Sequence, residues 1–170
     1  MKTRIASSLA LAAAIALGAS GCAMMAPQGT TDPYAPSDGI NLTVESVDVR
    51  NLLLIAAEDG ENFNVVFTSV NQGTSEQKLH FTFVDPSGAN TAEAEFTVAP
   101  GTQEFGDPAK GEQMVLVSIP GLKVGAMVTA FVQVGTGQDV ERQVPVLDGT
   151  LNEYKRFVVA GPAVAGDSAS

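Results

Sequence analysis

An all-β fold, an antiparallel two-sheet sandwich, is predicted from three features of the sequence between Asp38 and Val159. Short runs alternate apolar and polar residues with period two, the repeat that puts successive side chains on opposite sides of a strand. Eight or nine such runs follow one another at a spacing of about 10 residues, with turn residues between them, as in sandwiches. Nowhere in this body does an apolar stripe recur at helical spacing. With no Trp and one Cys, the disulfide-and-Trp staple of an antibody domain is absent. The type expected is therefore immunoglobulin-like or cupredoxin-like.

The body opens at the turn signal Asp38-Gly39, after which Ile40, Leu42 and Val44 alternate with polar neighbours, as do Val47 and Val49. Asn51 to Ala57 is a continuous apolar run, short enough for a strand buried on both faces. Glu58-Asp59-Gly60-Glu61-Asn62 then turns the chain. Phe63, Val65 and Phe67 alternate through the next strand, which ends at Asn71-Gln72-Gly73. Leu79, Phe81 and Phe83 oppose Lys78, His80 and Thr82, and Asp85-Pro86-Ser87-Gly88 has Pro second and Gly fourth, a type I turn. Ala92 to Val98 puts Glu93 and Glu95 on one side. Gln113 to Ile119, Ala126 to Val134 and Gln138 to Leu147 are further strands, and a last one is expected from Tyr154 to Val159. The expected core is Leu42, Val44, Leu53, Ile55, Val65, Phe67, Phe81, Phe83, Val115, Val117, Val128 and Phe131.

Ahead of the body stands the layout of an export signal: Lys2 and Arg4, an apolar core from Leu9 to Leu17, and small residues from Gly18 to Gly21. The run is shorter than the roughly 20 apolar residues of a spanning helix. Ala19-Ser20-Gly21-Cys22 resembles the lipobox of bacterial lipoproteins, although Ala19 stands where Leu is commonest. The resemblance implies a diacylglyceryl group on the Cys22 sulfur and a mature chain beginning there. The alternative is an ordinary secretory signal cut after an Ala-x-Ala-like site such as Ala10-Leu11-Ala12, or further on. Acylation gives the sole cysteine a use, whereas an unpaired thiol in an oxidising compartment is a liability. Two or three acyl chains, at about 0.8 kcal/mol per buried CH₂, hold a protein at a membrane where one only visits.

The domain plan follows: residues 1–21 a signal peptide, 22–37 a flexible tether, 38–159 the β-sandwich and 160–170 a disordered tail. Pro27, Pro33 and Pro36 deny the tether a helix. As a coil of some 15 residues it spans on the order of 20 Å, and up to about 50 Å stretched. Of the 9 Lys and Arg, Lys2 and Arg4 fall in the leader, so the body and its tether are strongly acidic against 19 Asp and Glu. Such a surface repels phosphate backbones and anionic headgroups, which excludes nucleic acid as a partner and leaves the membrane to be met through the anchor.

Candidates for chemistry are few. His80 is the only histidine and falls on the polar phase of its strand. Glu93 and Glu95 share a face, where the choice is between an acid pair and a solvated surface. Glu58-Asp59-Gly60-Glu61 offers oxygens for calcium without the alternating spacing of a calcium loop. Asn41-Leu42-Thr43 matches a glycosylation sequon, and Met24 and Met25 are thioethers in the tether. None of these rises to a catalytic set, and no enzymatic activity, cofactor or metal site is expected.

Val49-Arg50-Asn51, the apolar strand and acidic turn after it, and the strand closing at Asn71-Gln72-Gly73 resemble the actinobacterial LpqE-type lipoproteins. More distantly, the chain is similar to periplasmic copper chaperones of the PCu(A)C type. Lys110 to Leu116 and Pro120 to Gly125 follow those chaperones' order of glycine turn, ligand strand and glycine turn, and the likeness spans Ile40 to Val134. The resemblance implies a lipid-anchored extracytoplasmic module, or a carrier holding Cu(I) with two His and two Met. Here the His-x-Met place reads Met114-x-Leu116, and Glu93 to Glu95 offers neither ligand. His80, Met114 and Met127 remain, and methionine in a strand is expected to pack in the core. The function expected is non-catalytic binding at the cell envelope, with another envelope protein as partner. The alternative is a small-ligand or copper carrier.

Overall fold

The computed structural model describes residues 37–161 together with Ala12. The chain divides into two units, Met1–Tyr34 and Ala35–Ser170, and the described fold belongs to the second. Cys22, the leader apart from Ala12, Met24, Met25 and the tail beyond Gly161 lie outside the described residues.

Nine strands form the body: β1 Ile40–Val44, β2 Val47–Ala56, β3 Asn62–Asn71, β4 Gln77–Val84, β5 Thr91–Val98, β6 Gly101–Phe105, β7 Leu116–Ser118, β8 Met127–Val134 and β9 Val140–Leu147. They follow the order β5-β4-β8-β9-β2-β3-β6, with β1 on β2 and β7 on β3. The all-β expectation holds, with one refinement to the antiparallel sandwich. β9 pairs antiparallel with β8 from Val140 to Pro145, then parallel with β2 at Val146 and Leu147. One strand thus begins in one layer and ends in the other, and the two layers become a single curled, mixed sheet.

β2 is one strand where the sequence reading separates Val47 and Val49 from the run Asn51 to Ala57. Val47 and Val49 face the main core, and so do Leu52, Leu54 and Ala56. That parity changes between 49 and 52, which a period-two strand permits only with an extra residue. The register shift between Arg50 and Leu53 supplies it, and Asn51 takes a left-handed φ of 52° there. Asn51 is held from both sides: its N–H donates to Asn41 Oδ1 at 2.9 Å, and its Oδ1 accepts from Gly39 N at 2.9 Å.

The core between the layers is aromatic at its centre. Phe67 stacks on Phe105 at 4.5 Å between ring centroids and meets Phe96 edge-on at 4.9 Å and Phe81 at 5.1 Å. A second cluster lies on the outer side of β2 and β3, where Leu53, Ile55 and Val66 are covered by Tyr154 and Phe157. The apolar run is therefore buried on both faces, as expected. Its cover is a 3-10 turn, Lys155–Phe157, and no strand forms from Tyr154 to Val159. Buried Asn64 ties this cover down: its Nδ2 donates to Gly106 O at 2.8 Å and to Phe157 O at 2.9 Å.

Two expected core residues are placed differently. Val115 is only partly buried, because regular pairing in Gln113 to Ile119 is confined to Leu116–Ser118. Phe131 is half-buried on the outer side of β8, while Val128, Ala130, Val132 and Val134 point inward. Val128 and Phe131 are three residues apart, and an odd separation in an unbulged strand puts side chains on opposite faces.

Candidate functional site

The outer side of β5, β4, β8 and β9 gathers most of the residues with chemistry. Register sets them in rows across the strands, with neighbouring Cβ atoms about 5 Å apart. One row runs Glu95, His80, Gln133 and the next runs Glu93, Thr82, Phe131, Glu141. A shallow recess of about 170 Å³ lies between them, lined by His80, Thr82, Glu93 and Gln133.

Glu93 and Glu95 do share a face, but their surroundings differ. Glu95 sits 2.9 Å from Lys78 Nζ and 3.5 Å from His80 Nε2. The hydrogen bond from Lys78 holds the Glu95 carboxyl below its usual range, and Glu95 in turn raises the Lys78 ammonium. An acid pair needs one carboxyl pushed upward to keep its proton. Glu95 is shifted toward the charged form, which suits a surface ion pair. Glu93 and Glu141 enter no ion pair among the described residues.

The other candidates serve the fold. The Asp59 carboxylate accepts from Glu61 N, Asn62 N and Asn62 Nδ2 at 2.9, 2.9 and 2.7 Å. Those bonds, the backbone N–H of Asn62 first, hold its carboxyl below the usual range. The acidic hairpin tip is thus a capped turn. Asn41 of the sequon spends its side-chain oxygen on the bulge. Asp85 accepts from Asn90 Nδ2, Ser87 Oγ and Ala89 N, and the Asn90 and Ser87 bonds bring its carboxyl down to about 2. Burial and hydrogen bonding to Asp38 push the Tyr154 phenol up to about 12.

The soft donors are spread along the sheet. Met114 and Met127, expected in the core, are 39% and 53% exposed. His80 lies opposite Gln133 of β8, and Met127 is six residues further along that strand, a distance of roughly 20 Å at about 3.3 Å per residue. His80 and Met127 therefore cannot share one ion. Among the described residues no three His, Cys, Asp or Glu side chains converge on a metal-sized space.

Sequence reasoning missed the row through Phe131, although the signal was present. Met127, Thr129, Phe131 and Gln133 form one phase of β8 and Val128, Ala130, Val132 and Val134 the other. The uniformly aliphatic phase marks the core side. It also missed the network beside the 3-10 turn Pro108–Lys110. There, buried Asp107 accepts from Ala109 N at 3.0 Å and lies 3.6 Å from Arg156 Nε, and Lys110 contacts Glu104 at 2.5 Å. Those partners come from β6 and from two 3-10 turns far apart in the chain, which no local periodicity brings together.

No family model and no curated protein matches the chain. Among solved structures it is similar to the apo PmoF2 PCuAC domain, at 17% identity and a TM-score of 0.48, over 66% of this chain and 98% of that one. It is also similar to the apo PCuAC domain from PmoF1, at 19% identity and a TM-score of 0.45, over 63% and 98%. What the site does has to be read from its own residues.

Proposed function

We propose that the chain is a lipoprotein of LpqE type, anchored by acylated Cys22 on the extracytoplasmic face of the cell membrane. Its β-domain acts there as a non-catalytic binding or accessory module toward another envelope protein. The observation that carries this reading is the solitary cysteine placed directly after a charged start, an apolar run and four small residues. The acidity of the remaining chain supports it, since a body repelled by headgroups needs a covalent anchor to stay at a membrane. Several of the domain's charges, among them Glu95 with Lys78, Asp59 and Asp85, are engaged in surface pairs and turn caps, which leaves recognition to faces and loops. Acyl-group labelling of the wild-type chain and of Cys22→Ala tests it: label and detergent-phase partitioning are expected for the first and neither for the second.

The exposed thioethers favour one second reading, carriage of Cu(I). Met114 and Met127 are open to solvent, and thioethers select that ion. By this reading Cu(I) titration gives a stoichiometric event that Met127→Leu weakens and His80→Ala leaves unchanged, because His80 is too distant from Met127 to share its ion. Unchanged binding in Met127→Leu removes the reading.

A further inference from the structure

The two outer sides of the curled sheet are finished differently. Over β2 and β3, Tyr154 and Phe157 close off Leu53, Ile55 and Val66. On the side of β5, β4, β8 and β9, Val84 and Phe131 stay half-buried and Met127 is more than half exposed, with Pro145 its half-buried neighbour on β9. Phe131 is a large apolar side chain on a face whose rim is charged. Thr82 lies beside it on one strand and Glu141 on the other, with Glu93 one strand beyond Thr82.

The balance of charge around the ring is one-sided. Lys78 is engaged with Glu95 at 2.9 Å, and His80 faces the same carboxylate. Arg142, next to Glu141 in sequence, pairs in register with buried Ala130 and belongs to the other side of β9. Glu141 beside Phe131, and Glu93 across Thr82 from it, thus have no ion-pair partner among the described residues, and the recess beside Thr82 opens between the rows.

We propose that this face docks a partner protein through an arginine or lysine whose cation sits against Phe131 between Glu93 and Glu141. An aromatic face and carboxylates both attract a cation, and the stem of such a side chain is apolar enough to cover Val84 and the ring edge. Charge complementarity selects this occupant over the others. A second copy would bring like carboxylates together, and an anionic lipid surface or a nucleic acid is repelled for the same reason. The proposal rests on the binding-module reading and names the partner's chemistry.

The test titrates the full chain with a tetra-arginine peptide and, separately, a tetra-glutamate peptide, following backbone amides by NMR. The arginine peptide alone is expected to shift Thr82, Phe131 and Gln133. Glu93→Lys with Glu141→Lys is expected to weaken it about tenfold or more, and Phe131→Ser several-fold with both carboxylates intact. Glu58→Lys with Glu61→Lys makes the same change of net charge at the hairpin tip and is expected to weaken it less than about twofold. Equal weakening by the two charge reversals, or shifts scattered over the surface, means attraction to net charge alone and overturns the proposal. So do equal binding of the glutamate peptide, self-association through this face, and the absence of any shift at millimolar peptide. None of these outcomes depends on Cys22, so this proposal and the lipid-anchor reading fail separately.

Discussion

Phe67→Ala is expected to cost about 3–5 kcal/mol, a large share of the stability of a domain this size. Phe67 touches three other rings, Phe81, Phe96 and Phe105, contributed by β4, β5 and β6. It is 2% exposed. Removing it takes away the burial of the ring and leaves a cavity that three rigid neighbours, held by different strands, cannot collapse to fill. Phe131→Ala is the matched control, because the same atoms are deleted from the half-buried outer side of β8. Its expected cost is below about 1.5 kcal/mol, in proportion to the smaller area it buries. Urea denaturation of the two variants measures the difference as a shift of midpoint at constant slope. Equal costs would contradict the assignment of faces in β8 and, with it, the placement of Phe131 on the docking face.

Gly106→Ala is the second large effect, expected at about 3 kcal/mol or more from strain and overpacking together. Gly106 has φ of 104°, a backbone conformation that L side chains rarely adopt. A Cβ there would lie 2.9 Å from Val66 Cγ2, 3.1 Å from Val65 O and 3.2 Å from Val66 Cα. Two of those three atoms are backbone of β3 and cannot rotate away. The residue is also tied at both ends of its peptide: its N–H donates to Gln113 O at 3.2 Å, and its carbonyl accepts from buried Asn64. Gly101→Ala isolates the strain, since its φ is 92° while nothing lies within 4 Å of the added carbon. Its expected cost is about 1–2 kcal/mol. Thermal or urea melts in which Gly101→Ala costs as much as Gly106→Ala would show that contact with β3 contributes nothing.

Most of the strands were legible because period two is a local property. Leu79, Phe81 and Phe83 declared their face without reference to any other strand, and so did the turn from Asp85 to Gly88. What stayed hidden depends on distant partners. The bulge at Arg50 to Leu53 had a visible trace, the change of parity between Val49 and Leu52, yet its stabilising contacts come from Asn41 of β1 and from Gly39 just before that strand. The exchange of β9 between layers leaves no mark in Val140 to Leu147, whose alternation is the same whichever neighbour it pairs with. Tyr154 to Val159 read as a strand because Tyr, Phe and Val favour one, and it became a 3-10 cover because Leu53, Ile55 and Val66 needed covering. For the site, His80, Glu93 and Glu95 were recognised from the polar phases of β4 and β5. The row that joins Glu93 to Phe131 and Glu141 needed the order of β5, β4, β8 and β9, which only folding together provides.

Anchoring through Cys22 is the claim from which the extracytoplasmic role follows, and one measurement addresses it directly. Intact-mass and N-terminal peptide analysis of the wild-type chain recovered from membranes, beside Cys22→Ala, reads both the cleavage site and the acyl mass. The expected result is a mature chain beginning at Cys22 with two or three acyl groups, and a variant that carries none and leaves the detergent phase. A wild-type chain that carries no acyl group, whether it begins at Met1 or after an Ala-x-Ala site, would contradict the account.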